Sequence, residues 1–144
     1  MSRVTIALPD HFVFATELPV RISDINYGNH VGNDAILTLV HEGRMRFLAQ
    51  FGYTELDLEG TGLVMVDAAV QYKAQSAYAD RLRIEVTTDA WTFAGFDVLY
   101  RITHVDTGRE VARVKTGMCF FNYATGKIAG APARVREQLE AGEG

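Results

Sequence analysis

Apolar residues dominate one long stretch of the chain. From Ala35 to Gln50 the apolar positions are spread around most of a helical circumference, which predicts a long helix buried on nearly all sides. Asn33 or Asp34 is suited to cap the N-terminus of this helix, because each side chain can accept a hydrogen bond from an unpaired N–H group of the first turn. Gly52 is a suitable C-terminal stop.

Shorter segments alternate apolar and polar positions, as half-buried strands do. The clearest alternates Leu82, Ile84 and Val86 with charged residues. Strands are predicted at residues 11–23, 63–72, 81–91, 96–104 and 110–122. A short helix follows at residues 132–139, and residues 141–144 are expected to fray. This order predicts an α+β fold in which an antiparallel sheet is curled around the long helix.

Length, charge and cysteine content restrict the class of protein. The chain has 144 residues, enough for one domain with a single core. The formal net charge of −4 argues against a nucleic-acid-binding surface, which needs a basic excess. No apolar run approaches the roughly 20 residues that span a bilayer, and the N-terminus lacks a secretory signal. The single cysteine, Cys119, fits a reducing compartment, so we expect a cytoplasmic protein without a membrane partner.

A polar loop at residues 23–34 lies directly before the long helix. It carries Gly28 and Gly32, which allow sharp turns, and His30, a side chain that can exchange a proton near neutral pH. The N-terminus of a helix presents unpaired N–H groups and favours negative charge. The loop is therefore the candidate functional site.

The loop and the helix together carry a family motif. The segment from Val20 to Asn33 (VRISDINYGNHVGN), followed by a helix with His41-Glu-Gly-Arg44, resembles acyl-CoA thioesterases of the 4-hydroxybenzoyl-CoA thioesterase type. Val70-Gln-Tyr72 and Ala79-Asp-Arg-Leu82 fit the same family. The resemblance implies the hotdog fold, an antiparallel five-stranded sheet curled around one long central helix. It also implies hydrolysis of an acyl-CoA thioester to free acid and CoA, without a cofactor.

One position departs from the family motif. Members of the family carry Asp-x-Asp, and its second aspartate is the usual nucleophile or general base, but here that position is Asn26. A neutral amide can neither take a proton from water nor act as a carboxylate nucleophile. Asn26 can instead orient water or donate to the thioester carbonyl, or it can only tie the loop to its own backbone. The first aspartate is retained as Asp24.

Four side chains are candidate catalytic residues by this resemblance. Asn26 and His30 would orient the carbonyl or the water, and Asp24 or Glu42 would supply the base, including from a partner subunit. Each has a structural alternative: Asn26 and His30 can be bonded into the loop, and Asp24 can brace it through backbone N–H groups. Glu42 can be a buried glutamate paired with Arg46 one helical turn later.

The backbone supplies the remaining candidates. The N–H groups of Val31, Gly32 and Asn33 stand at the helix N-terminus and form the candidate oxyanion hole for the substrate. Gly43, in the middle of the helix, is unfavourable unless a partner helix or an acyl chain packs closely against it. The four histidines lack the spacing of zinc ligands, so no metal is expected.

A lone hotdog sheet leaves one face and one edge uncovered, so we expect a homodimer or a homotetramer. The function we predict is acyl-CoA hydrolysis. Two alternatives stay open: a non-catalytic acyl-CoA-binding protein, favoured by Asn26, and a hydratase or dehydratase that would pair His30 with a carboxylate.

Overall fold

The computed structural model describes residues 1–142. The helices and strands of this part of the chain are β1 (Phe14–Pro19), α1 (Asn33–Ala49), β2 (Gly62–Tyr72), β3 (Arg81–Asp89), β4 (Gly95–His104), β5 (Glu110–Asn122), β6 (Lys127–Ile128) and α2 (Ala133–Ala141). The predicted α+β order is confirmed, and the short strand β6 is an addition to it. Of the C-terminal residues expected to fray, Ala141 ends α2, and residues 143–144 lie outside the described residues.

The strands form one antiparallel sheet in the order β1-β3-β4-β5-β2, with β6 paired to the end of β5. Leu82, Ile84 and Val86 of β3 are buried, as their alternation with charged residues predicted. Among the described residues, β2 pairs only with β5 and is an edge strand. This edge leaves Met65 and Val66 exposed.

Helix α1 packs along one face of the sheet. The ring of Phe47 lies 5.6 Å from that of Phe14 of β1, measured between centroids. A Cβ atom built on Gly43 would come within 3.0 Å of Cγ2 of Ile84 in β3. The glycine therefore allows the helix to approach its own sheet. The close approach of β3 explains the glycine at position 43, so neither a partner helix nor an acyl chain is needed to account for it.

The prediction that α1 is buried on nearly all sides is wrong. One face is buried against the sheet, but His41, Glu42 and Arg46 on the other side are exposed. Leu37 and Met45 are only half-buried. Apolar residues around a helix show that several of its faces are apolar, and they do not show that one chain covers all of them. The open face is available to another molecule.

The cap of α1 also differs from the prediction. Gly32 is the N-cap residue, so Asn33 and Asp34 lie in the first turn and neither side chain caps the helix. Asp34 still stabilises this end, because a negative charge in the first turn is favoured by the helix dipole.

A buried polar network joins α1 to the sheet. Arg44 is 5% exposed, and its Nη1 donates to the hydroxyl of Tyr100 at 2.9 Å. That hydroxyl lies 2.8 Å from Oγ1 of Thr116. Nη2 of Arg44 lies 3.4 Å from Oε1 of Glu55, and Nε2 of His41 lies 2.7 Å from the same oxygen. Burial raises the pKa of Tyr100, so its hydroxyl stays neutral within the network.

Candidate active site

Asp24 braces the first part of the loop. Its carboxylate accepts hydrogen bonds from the backbone N–H of Arg21 at 2.8 Å and from Nε of the same residue at 3.3 Å. The side-chain hydrogen bond to Asp24 and the negative charge of its carboxylate raise the pKa of Arg21. The backbone carbonyl of Asp24 accepts a hydrogen bond from the N–H of Gly32 at 2.9 Å. Side chain and backbone of Asp24 together connect β1 to the start of α1.

Asn26 closes the turn at the tip of the loop. Its Oδ1 accepts hydrogen bonds from the N–H groups of Gly28 at 3.0 Å and His30 at 3.3 Å. Its own N–H donates to the carbonyl of His30 at 2.8 Å. Asn29 has a φ of 65°, a left-handed conformation that asparagine tolerates. The Nδ2 group of Asn26 makes no hydrogen bond to residues 1–142, so it can donate to a ligand.

The N–H groups at the N-terminus of α1 are not equally available. Val31 donates to the carbonyl of Ser76 at 2.9 Å, and Gly32 donates to that of Asp24 at 2.9 Å. Asn33, the first residue of α1, has no acceptor for its N–H within residues 1–142, as is usual in a first helical turn. Of the three predicted oxyanion donors, only Asn33 therefore has a free N–H in this structure.

A cleft of about 530 Å³ opens at this end of α1. The loop and the first turn of α1 form one side of it, and residues 72–76, from the last residue of β2 onward, line it as well. The hydroxyl of Tyr72 donates to the carbonyl of Asn33 at 2.9 Å and connects the end of β2 to the helix. The positive end of a helix dipole beside an open cleft suits a carbonyl oxygen that gains negative charge.

The structure places four of the predicted site residues at the cleft. Asn26, His30, Val31 and Asn33 all line it. Gly32, the N-cap residue of α1, is buried and does not line the cleft. The loop therefore brings an imidazole, an amide and a free backbone N–H to the same cavity.

The two predicted carboxylates lie outside this cleft. The carboxylate of Asp24 is engaged by Arg21. Glu42 lies on the open face of α1, where its side chain is 53% exposed and 3.5 Å from Nε of Arg46. The pairing with Arg46 is present, but the expectation that Glu42 is buried is wrong for this chain. Within residues 1–142, no carboxylate lines the cleft.

The lining residues that were not predicted as site residues include Tyr72, Lys73 and Ser76. Tyr72 belongs to the Val70-Gln-Tyr72 segment. The position of this segment at the end of a predicted strand is the sequence feature that could have indicated a site residue. Lys73 lines the cleft, and its Nζ lies 3.2 Å from Oε1 of Glu110. Ser76 lies in an irregular segment that carries no pattern pointing to it.

Two further kinds of feature are absent from residues 1–142. No group of three or more His, Cys, Asp or Glu side chains in these residues is placed to hold a metal ion. None of the helices described is long and apolar enough to cross a membrane.

Comparisons with known proteins agree with this architecture. A sequence model of the thioesterase-like superfamily matches residues 20–139. No curated protein matches the chain in sequence. Similar solved structures include the 1,4-dihydroxy-2-naphthoyl-CoA thioesterase of Synechocystis, with a TM-score of 0.79, 20% identity, and coverage of 88% of this chain and 94% of that one.

Two further structures are similar at the level of the fold. A probable thioesterase of Escherichia coli has a TM-score of 0.74 and 20% identity, over 93% of this chain and 100% of that one. A gentisyl-coenzyme A thioesterase has a TM-score of 0.77 and 20% identity, over 88% of this chain and 99% of that one.

The family match covers the loop, α1, the whole sheet after β1 and most of α2. The chain therefore belongs to the thioesterase-like superfamily, and it has the hotdog fold of the solved thioesterases. The resemblance seen in the loop motif is confirmed.

Proposed function

We propose that the chain hydrolyses its acyl-CoA thioester in the cleft at the N-terminus of α1. The free N–H of Asn33 carries this proposal, because it is an unpaired donor at the positive end of a helix dipole. A thioester carbonyl oxygen placed there would be stabilised as it gains negative charge. Nδ2 of Asn26 offers a further donor from the loop.

His30 is the proposed general base. The described residues that line the cleft include no carboxylate, and histidine is the side chain that readily exchanges a proton near neutral pH. His30 would take a proton from water as the water oxygen bonds to the carbonyl carbon and an electron pair moves to the carbonyl oxygen. That pair returns as the C–S bond breaks. His30 then gives its proton to the leaving CoA thiolate.

The two remaining carboxylates have different proposed roles. Asp24 is proposed to position the loop, because its oxygens are engaged by Arg21. Glu42 could act as a base only in a cleft to which a second copy of the chain contributes its helix, since it lies on the open face of its own α1.

A homodimer or homotetramer is proposed from the uncovered surfaces. The free edge of β2 exposes Met65 and Val66, and a free strand edge readily pairs with another strand. Sedimentation equilibrium should give two or four times the chain mass of 15.9 kDa. Val66→Lys should shift the mass towards that of one chain, while Lys127→Ala on β6 should not. A wild-type mass of one chain would contradict the proposal.

A cytoplasmic location is proposed from the state of the single cysteine. Cys119 is a free, partly buried thiol in β5. A free thiol is typical of a reducing compartment.

A non-catalytic acyl-CoA-binding protein is the second candidate function. Oδ1 of Asn26 is occupied by the backbone of its own turn, and no carboxylate among the described residues replaces the family's aspartate in the cleft. The hydratase alternative is not favoured, because it would require a carboxylate paired with His30 in the cleft.

Release of free thiol from a panel of acyl-CoA esters tests the proposal. The wild type should turn over at least one ester, and His30→Gln should lower kcat by about 10²- to 10⁴-fold, the usual contribution of a general base. His11→Gln is the matched control, because His11 is exposed and lies outside the cleft, beside residues 87–89 at the end of β3. Binding without thiol release would support the non-catalytic candidate. Full activity of His30→Gln would place the base elsewhere, with Glu42→Gln as the next variant.

A further inference from the structure

Ser76 is a polar residue whose burial is not explained by its neighbours. The residue lies between β2 and β3, lines the cleft and is only 3% exposed. Its carbonyl accepts a hydrogen bond from the N–H of Val31 at 2.9 Å, which holds residue 76 beside the polar loop at residues 23–34. Its hydroxyl oxygen is buried and has no hydrogen-bond partner among residues 1–142.

A buried hydroxyl without a partner destabilises the folded chain. The hydroxyl has lost its hydrogen bonds to water and gains none from the protein, whereas an alanine would fill nearly the same space without this loss. Buried polar groups are nearly always satisfied, so an exception beside a substrate cleft points to a partner that arrives with the substrate. Rotation about χ1 moves the hydroxyl between three staggered positions, which gives it a route to the cleft.

The state of the neighbouring N–H groups indicates what the hydroxyl would bind. An oxyanion is normally held by more than one donor. Val31 and Gly32 donate their N–H groups to backbone carbonyls, which leaves Asn33 as the free donor among the three. The acceptor that occupies Val31 is the carbonyl of Ser76 itself. The hydroxyl of Ser76 is therefore next to the place where a donor is missing.

We propose that the Ser76 hydroxyl donates a hydrogen bond to the thioester carbonyl oxygen and completes the oxyanion hole with the N–H of Asn33. This inference rests on the proposed function. Ser76 keeps its proton throughout, and the electron pair that moves to the carbonyl oxygen is stabilised by it. A nucleophilic role is excluded by the geometry, because an activated serine needs a base within hydrogen-bonding distance and Oγ of Ser76 has none in residues 1–142.

Ser76→Ala is the test, measured with an acyl-CoA ester that the wild type hydrolyses. The variant should lose about 10²- to 10³-fold in kcat with little change in KM, as expected when one oxyanion donor is removed. Its pH–rate profile should keep the wild-type shape, because His30 is unchanged. Its melting temperature should equal or exceed that of the wild type, because the unpartnered hydroxyl is gone. Ser2→Ala is the matched control, since Ser2 is an exposed serine outside both the loop and the cleft.

Each other outcome overturns the inference. A kcat within twofold of the wild type would show that the hydroxyl does not touch the reacting carbonyl. A large fall in melting temperature would show a structural role, for example a hydrogen bond to a second copy of the chain. A burst of thiol equal to the enzyme concentration in the wild type, absent from Ser76→Ala, would show a nucleophile. A wild type that hydrolyses no ester overturns the proposed function as well, whereas an active wild type with an equally active variant overturns this inference alone.

Discussion

Replacing Glu55 with glutamine tests whether Arg44 depends on one carboxylate for its charge balance. The Arg44 side chain is only 6% exposed, and its Nη2 lies 3.4 Å from Oε1 of Glu55. Its Nη1 donates a hydrogen bond to the hydroxyl of Tyr100, which is neutral. Glu55→Gln keeps the size of the side chain and removes the negative charge. The guanidinium would then be a buried cation without a counter-ion.

The magnitude follows from the burial of the two groups. Removing one member of a buried ion pair destabilises a protein by about 3–5 kcal/mol. Glu55 is 22% exposed, and glutamine can still accept a hydrogen bond, so we expect about 2–3 kcal/mol here. One kcal/mol shifts the melting temperature of a domain this size by about 3 °C, so the expected fall is about 6–9 °C.

Calorimetry of matched variants would check this value. Glu42→Gln is the control, because Glu42 and Arg46 form a pair at 3.5 Å in which both side chains are about half exposed. An exposed pair contributes about 0.5 kcal/mol or less. Arg44→Met combined with Glu55→Gln should recover part of the loss, since no buried charge remains. The effect of an exposed pair, about 0.5 kcal/mol, together with the calorimetric error corresponds to about 2 °C. If the melting temperature of Glu55→Gln lies within about 2 °C of that of the control, the reasoning is refuted.

Two other variants address the loop and the pH dependence of stability. Asn26→Asp keeps an oxygen for the N–H groups of Gly28 and His30 and adds a carboxylate at the cleft. A second base beside His30 should raise kcat at pH 7 at least tenfold, and an unchanged kcat would contradict this expectation and leave His30 as the proposed base. Burial acts to raise the pKa of Glu110, but hydrogen bonds from Arg113 and two other cations lower it overall. The ionised carboxylate therefore stabilises the fold above the ordinary glutamate pKa, and this stability is lost as the pH falls through the lower folded value. Urea unfolding of Glu110→Gln should show lower stability than the wild type at pH 7 and a smaller difference at pH 3; an equal difference at both would contradict the linkage.

The sheet could be predicted because its signal is local. Leu82, Ile84 and Val86 alternate with charged residues, and alternation over a few positions is enough to define a half-buried strand. The same reasoning placed β5 at residues 110–122, the bounds that the structure has. β6 was missed because two residues, Lys127 and Ile128, are too few to show a period.

The surroundings of α1 could not be predicted from the same kind of signal. Gly43 indicated that something packs closely against the helix. Its position in the sequence did not reveal that this neighbour is Ile84 of β3, 41 positions later in the chain. Leu37 and Met45 widened the apolar surface beyond the face that the sheet covers. Periodicity describes which side chains are apolar, and only the tertiary fold decides which of them have neighbours.

The candidate site shows the same limit at the scale of single hydrogen bonds. The loop motif pointed to Asn26, His30 and Asn33, and these residues line the cleft because their spacing from the helix is local. It also suggested Val31 as an oxyanion donor, but the N–H of Val31 is occupied by the carbonyl of Ser76, 45 positions later in the chain. An N–H group is available to a substrate only if no other part of the protein already accepts a hydrogen bond from it. An oxyanion hole can therefore be assigned only after the long-range hydrogen bonds of the folded chain are known.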